Sequence, residues 1–376
     1  MNALKIADEF PITTSSVYLN TAAQGPWPTR TTRAVQQFAD SAQFPGPDNG
    51  SGESDVFAET RTRLARLLNT APEHLVFGPN TSYGLNVCMH GIDWRAGDNV
   101  VMPADEFPSV KHALTHLPNL GVEVRTAAWQ HCGPSGDEIM SQVDGRTRAV
   151  ICSAIAWNTG FRIDLEALGT RCAAAGVLLI VDGIHAVGAE PLDLSAAPVS
   201  ALAFHGYKWL LAGFGMGGLY VAPHAIEQIR PTFVGPQSLN DSPATADGSL
   251  PWQAGAQRYA VGNANKLGAT VLCSSLSLIE EIGIDAIRNS NHALADMLMD
   301  GLKRVLPSAR ILRSNEARHQ SAIVVFTTGD VARDSALVDQ LSARGIMVAL
   351  RPAGIRVSPH FFNRAQDIER LLDALS

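Results

Sequence analysis

The stretch VLLIVDGIHAVG (residues 177–188) runs aliphatic side chains without interruption into Asp182, with His185 three residues further on. Unbroken apolarity over 177–181, in place of alternation, suits a strand covered on both faces, as in a parallel sheet layered between helices. Outward from it, NVVM (99–102), AVICSAI (149–155) and VSALAF (199–204) read the same way, and LVF (75–77) reads as a shorter strand. Between these runs the spacing turns helical. Phe57, Leu64, Leu67 and Leu68 share one helical face, and Leu85, Cys88, Met89 and Ile92 share another. Asp164 reads as an N-cap and Gly176 as the glycine just past the end of the same helix. The alternation predicts an α/β fold built on a mainly parallel sheet.

Downstream, residues 235–257 carry the Gly, Pro, Ser and Asp content of a long loop, a kind of segment that is often functional. A helical stretch follows, then AIVVFTT (322–328), the helix DSALVDQLSARG (334–345), IMVAL (346–350) and IRVS (355–358). A last helix carries Ile368, Leu371, Leu372 and Leu375 at helical spacing. This tail reads as an α+β unit distinct from the sheet before it. The expected division is an N-terminal segment, 1–50, contributing to the small domain and the site entrance. A large domain over 51–257 and a small C-terminal α+β domain over 258–376 complete it.

The chain has 376 residues, is 46% hydrophobic and 17% charged, and carries a net charge of −7. It has ample apolar material for a sizeable core, and its length suits one large domain plus a smaller one. Without a basic run it lacks the clustered cations that phosphate neutralisation needs, which argues against nucleic acid as a main partner. MNALKIADEFPITTSS (1–16) has no apolar centre long enough for a signal peptide, and no stretch approaches the roughly 20 apolar residues of a membrane span. A soluble, cytoplasmic protein is expected. Cys88, Cys132, Cys152, Cys172 and Cys273 are scattered, and four of them fall in predicted helices or strands. They read as reduced packing residues, and His131-Cys132 lacks the spaced second pair a metal site would use.

In open α/β sheets ligands bind outside the carboxyl ends of the strands. LVF is followed by Asn80-Thr81-Ser82 at a helix N-terminus, NVVM by a loop holding Phe107, and AVICSAI by a loop holding Asn158. VLLIV is followed by Asp182 and His185. VSALAF runs into AFHGYKWLLAGFGMGG (203–218), with His205, Tyr207 and Lys208. Each residue has a plain structural role open to it: Thr81 and Ser82 as caps, Asp182 and Asn158 in turns, Phe107 in the core, Lys208 reaching solvent along its stem. Jointly they suit one ligand. Hydroxyls at a helix N-terminus bind phosphate, a carboxylate at a strand end holds a pyridine nitrogen, an aromatic stacks on a flat ring, and a lysine condenses with an aldehyde. Pyridoxal phosphate carries all four groups.

VDGIHAVG (181–188), followed about 20 residues later by HGYKW (205–209), resembles the class V aminotransferase family of fold-type I pyridoxal-phosphate enzymes. That family includes cysteine desulfurases, isopenicillin N epimerase-like proteins and C–S lyases. The resemblance runs from VYLNTAAQGPWP (17–28) to IRVSPHFFNRAQDIERLLDAL (355–375). It implies the fold-type I transferase architecture, with Lys208 as the Schiff-base lysine and proton shuttle. Asp182 would pair with the pyridine nitrogen, and His185 and Asn158 would contact the ring hydroxyl. Phe107 takes the stacking position, where the desulfurases have histidine. Thr81, Ser82, His205 and Tyr207 would hold the phosphate, and Arg356 would grip the substrate α-carboxylate. A homodimer with active sites at the interface is also implied. The family's cross-subunit phosphate contact is a threonine; in RYAVGN (258–263) Asn263 stands there. Trp27, in NTAAQGPWP (20–28), reads either as lining the substrate entrance or as packing.

The reaction is less constrained, because the cofactor carries the chemistry and the protein selects the bond. MVALRPAGIRVS (347–358) is short and holds no cysteine, which disfavours a desulfurase that forms its own persulfide. The leading expectation is a C–S lyase acting by β-elimination on an S-substituted cysteine or related conjugate, of the kind met in natural-product pathways. Transamination, epimerisation, and decarboxylating or oxidative deamination of an amino acid stand as alternatives. A dinucleotide-dependent oxidoreductase is disfavoured, because the glycines of GFGMGG (213–218) have the spacing of a tight turn and not of the phosphate-binding fingerprint. A non-catalytic binding module is disfavoured by the joint presence of Lys208 and Asp182.

Overall fold

Strands that are apolar on both faces must lie in a sheet's interior. In the computed structural model, which describes residues 3–43, 55–129, 132–240 and 250–376, they do so. The main sheet has seven strands: β1 Leu75–Gly78, β2 Asn99–Pro103, β3 Glu123–Ala127, β4 Thr147–Ser153, β5 Leu178–Asp182, β6 Ala201–His205 and β7 Gly217–Val221. Their spatial order is β1-β7-β6-β5-β4-β2-β3. Neighbours from β6 through β3 are parallel, and β7 is antiparallel to both of its neighbours. Every strand but β7 therefore delivers its carboxyl end to one edge of the sheet. β4, β5 and β6 are buried almost throughout, as their unbroken apolar runs predict.

Two details of this sheet depart from the sequence reading. The edge strand β3, with sequence EVRTA, escaped it because an edge strand needs no continuous apolar run; its Glu123 and Arg125 pair on the surface. The glycines of GFGMGG divide between two tasks. Gly213 and Gly215 belong to the turn, whereas Gly217 and Gly218 open β7. A Cβ at Gly217 would lie 2.3 Å from the Phe204 carbonyl oxygen, so β6 and β7 meet only because no side chain stands there. The Asp164 cap and the Gly176 stop are both found: Asp164 accepts the Ala167 N–H, and Gly176 has φ +69°.

A second sheet is antiparallel, in the order Ala349–Arg351, Gly354–Val357, Val324–Thr327, Arg310–Ile311. Leu298 and Leu302 from helix Ile284–Val305, and Ile368, Leu371 and Leu372 from helix Ala365–Leu375, pack with its Phe326, Ile355 and Val357 in a smaller core. IMVAL is not one strand. Ile346–Met347 pairs in parallel with Val17–Tyr18, and only Ala349–Arg351 joins the antiparallel sheet. Val17 and Leu19 thus enter the smaller core, and Asn20 bridges to Ser358.

Helix Lys266–Ile282 lies within the range 258–376, yet its Ala269, Leu272, Leu276 and Ile279 belong to the larger core, against helix Asp55–Leu67. Across a 79° bend at Gly283 the next helix, Ile284–Val305, passes from the larger core at Ile287 to the smaller one at Leu294, Leu298 and Leu302. No single helix among the described residues is long and apolar enough to cross a membrane. All five cysteines are free; Cys88, Cys152 and Cys172 are buried and Cys132 and Cys273 partly so. His131, and residues 241–249 of the long loop, lie outside the described residues.

Candidate active site

Lys208 follows β6 and sits at the shared strand edge, 5% exposed. Its Nζ lies 3.3 Å from His185 Nε2. His185 Nδ1 in turn accepts the Trp209 indole N–H at 3.2 Å. An indole nitrogen only donates, so Nδ1 carries no proton and a neutral His185 holds its proton on Nε2, facing the lysine. Burial, followed by the charge of Lys208, keeps His185 well below the usual histidine range and therefore neutral. Burial also pushes Lys208 down to about 7; Asp182 opposes the shift, and Arg356 and Arg351 reinforce it. The amine is thus held as an acceptor for His185 Nε2–H. The Phe107 and Tyr207 rings flank it, with centroids 5.7 and 5.5 Å from Nζ.

Asp182 closes β5, in register with Ser153 of β4 and Ala203 of β6. Its Oδ1 accepts the Ile184 N–H at 3.0 Å. Burial raises the carboxyl to about 6, against the Ile184 hydrogen bond and the Lys208 charge. At the end of β1, Asn80 caps helix Thr81–Gly91 by accepting the Tyr83 N–H. The Thr81 hydroxyl is buried at that N-terminus without a hydrogen-bond partner, where helix N–H groups also lack intrahelical acceptors. Ser82 instead shares a 2.8 Å hydrogen bond with Ser109. His205 Nε2 accepts the Gly215 N–H at 3.1 Å, leaving Nδ1 available, and burial lowers it to about 4. Tyr207 stacks on Phe214 with centroids 4.5 Å apart.

Arg356 is 2% exposed and donates Nη1–H to the Trp157 carbonyl at 3.0 Å; its Nε and Nη2 have no partner. Burial, with the charge of Arg351, lowers it to about 9. Asn158 Oδ1 accepts the Ala353 N–H, which ties the turn before Arg356 to the end of β4. Lys208, His185, Phe107, Tyr207, Asp182 and Arg356 thus interact at one edge. Asn263 is exposed and bonded to Gln237 at 3.4 Å. Trp27 is 40% exposed and packs over Gly213.

Several supporting residues went unread in the sequence. Glu106 is buried, accepts the Ser153 N–H and hydroxyl at 2.7 and 2.6 Å, and also accepts the Phe107 N–H, so it fixes the Phe107 loop on β4. Burial raises it to about 7. Its acidic type beside a candidate ring-stacking residue was the available signal. Gly25 donates its N–H to the Tyr207 carbonyl at 2.8 Å, and a Cβ there would lie 2.1 Å from the Lys208 carbonyl oxygen. The N-terminal segment is thereby seated on the lysine turn, a long-range contact that carries no local signature.

The family model for aminotransferase class-V matches residues 17–371. Isopenicillin N epimerase from Streptomyces clavuligerus is 27% identical over 96% of this chain and 94% of its own. A probable cysteine desulfurase from Methanothermobacter thermautotrophicus (strain Delta H) is 24% identical over 100% and 98%. Among solved structures, the cystine C–S lyase C-DES in complex with its reaction product cysteine persulfide superposes with a TM-score of 0.88. It shares 26% identity, with 97% of this chain and 98% of that one covered. A C-DES variant with glycine covalently linked to its PLP cofactor gives the same TM-score at 25% identity, covering 98% of each chain.

Proposed function

Because the chain belongs to the class-V aminotransferase family, we propose that it is a pyridoxal-phosphate enzyme that cleaves the carbon–sulfur bond of an S-substituted cysteine or related conjugate by β-elimination. It is an enzyme of transferase or lyase type, and pyridoxal 5′-phosphate is its cofactor. The residues present fit that group. The partnerless Thr81 hydroxyl at a helix N-terminus suits the phosphate. The Asp182 carboxylate suits the pyridine nitrogen, the Phe107 face suits the ring, and the buried Lys208 amine suits the aldehyde. His185, Asn158, His205, Tyr207 and Ser82 complete the proposed cofactor set. When bound, the cofactor supplies an aldehyde for the lysine and a ring that withdraws electrons from the substrate α-carbon.

The chain's own groups supply position and proton transfer. Arg356 turns two free N–H groups to the α-carboxylate, a task suited to its planar fork. Lys208 Nζ, whose pKa burial lowers to about 7 and whose neutral form the His185 Nε2–H favours, takes the proton from Cα. The electron pair left at Cα expels a thiolate from Cβ, and the remaining fragment hydrolyses to pyruvate and ammonia.

One observation favours elimination over a desulfurase that forms its own persulfide. The hairpin of Ala349–Arg351 and Gly354–Val357 turns tightly, holds no cysteine, and leaves nothing to attack substrate sulfur. Cys132, in a loop, has its thiol raised by burial and offers a poor nucleophile. The test is incubation of the holoenzyme with S-alkylcysteines and measurement of thiol and pyruvate. Equal yields support the lyase. Absence of both, with amino-group transfer to a keto acid, overturns it in favour of an aminotransferase.

We further propose a homodimer. Phe214, at 62% exposure, stacks on Tyr207 beside the site, and Trp27, Phe233, Val234 and Leu267 are also exposed. Such surface suits a partner subunit, with Asn263 available to donate its amide hydrogen across the interface. Sedimentation of a monomer at working concentrations would refute it.

A further inference from the structure

The hairpin that carries Arg356 carries a second arginine on the same face. Arg356 pairs with Ala349, and Arg351 pairs with Gly354. Directly paired residues of an antiparallel ladder share a face, and so do residues two apart along a strand. Arg351 and Arg356 are therefore diagonal neighbours on one face, close enough for long side chains to meet a common ligand.

Neither arginine forms an ion pair with an acid among the described residues. Arg356 has two unpartnered nitrogens, although its side chain is almost wholly buried. The hydrogen bond described for Arg351 runs only to the carbonyl of its own neighbour, Leu350, at 2.8 Å. Arg351 is half-buried, and its charge bears on Arg356, Lys208 and His185, so it faces the site. The titratable groups on which the pair bears are Lys208, His185 and Tyr207. The nearby carboxylate, Asp182, interacts with Lys208 and Tyr207. Two like charges held as neighbours, one buried and one half-buried, are unfavourable unless a ligand supplies the counter-charge. An α-carboxylate supplies only one.

We propose that Arg351 and Arg356 form a two-cation clamp that selects substrates carrying a second acidic group on the side chain, beyond the α-carboxylate. This rests on the reading of Arg356 as the α-carboxylate residue. Arg356 anchors the amino-acid end, and Arg351, nearer the hairpin turn and more exposed, meets the acid at the end of the substituent. The substrate class is an acidic conjugate of cysteine, or another amino acid with a carboxylate-bearing side chain.

The test compares isosteric pairs on the holoenzyme: S-(2-carboxyethyl)cysteine with S-(2-carbamoylethyl)cysteine for turnover, and glutarate with its monoamide for binding by calorimetry. A preference of about tenfold or more for the acid is expected in each pair, and Arg351→Gln should collapse both ratios toward one. Arg351→Lys should restore part of the preference, which separates a charge effect from a folding defect. A wild-type ratio near one overturns the clamp. So does an Arg351→Gln enzyme that loses both members of a pair equally, since Arg351 would then share the α-carboxylate. Failure of the lyase reading shows separately, as conjugates that release no thiol while glutarate still outcompetes its monoamide.

Discussion

Replacing Lys208 by methionine should stabilise the cofactor-free protein, by an amount that shrinks as pH rises. The lysine is 5% exposed, and its pKa falls from 10.5 in the unfolded chain to about 7 in the fold. Between those values the unfolded chain binds the proton and the folded one does not, so stability rises with pH across that window. One pKa unit is worth about 1.36 kcal/mol, which makes the full penalty about 5 kcal/mol below the window. By the same linkage it is roughly 4 kcal/mol near pH 7 and about 2 kcal/mol near pH 9. Methionine matches the lysine stem in bulk but its thioether accepts only weakly from His185 Nε2–H, which takes back about 1 kcal/mol. Urea denaturation of stripped Lys208→Met and parent protein should therefore differ by about 3 kcal/mol near pH 7 and about 1 kcal/mol near pH 9. A variant no more stable than its parent near pH 7, or a gain that does not shrink at the higher pH, would refute the reasoning. Holoenzyme turnover should be abolished by the same change.

Trp209→Phe removes the donor that keeps the His185 proton on Nε2, so the basic form of Lys208 loses support. The acid limb of the kcat profile should move upward by up to about one pH unit, and an unmoved limb would show that Trp209 only packs. Gly25→Ala would force a Cβ against the Lys208 carbonyl, destabilising by about 1–3 kcal/mol and weakening the visible cofactor absorbance; full absorbance and rate would contradict that contact. Glu190, 2% exposed, meets His292 at 2.6 Å and Arg162 at 3.2 Å, tying the segment after β5 to helix Ile284–Val305. Glu190→Ala should cost about 3–5 kcal/mol in urea unfolding while kcat per folded molecule holds; a loss below 1 kcal/mol would show the network to be idle.

How much was legible follows from the range over which each signal acts. The strands after which Asp182 and Lys208 fall could be found because burial on both faces demands unbroken apolarity, a local demand. IMVAL shows the limit of that local demand: an apolar run satisfies either sheet, and only the placement of Val17–Tyr18 splits it. Helix Lys266–Ile282 shows an apolar face, but periodicity does not say which core receives it.

By itself the sequence determined the layered α/β architecture and the residue types at its strand ends, since periodicity and turn chemistry are written in neighbouring residues. It carried the resemblance through Asp182, His185 and Lys208 as well. Only the tertiary structure decided what those residues face. The Trp209–His185–Lys208 relay, the seat of Gly25 on the lysine turn and the pairing of Arg351 with Arg356 on one hairpin face all depend on register and close approach. Those are set when distant segments pack, because hydrogen-bond direction and unpaired charge are properties of neighbours in space.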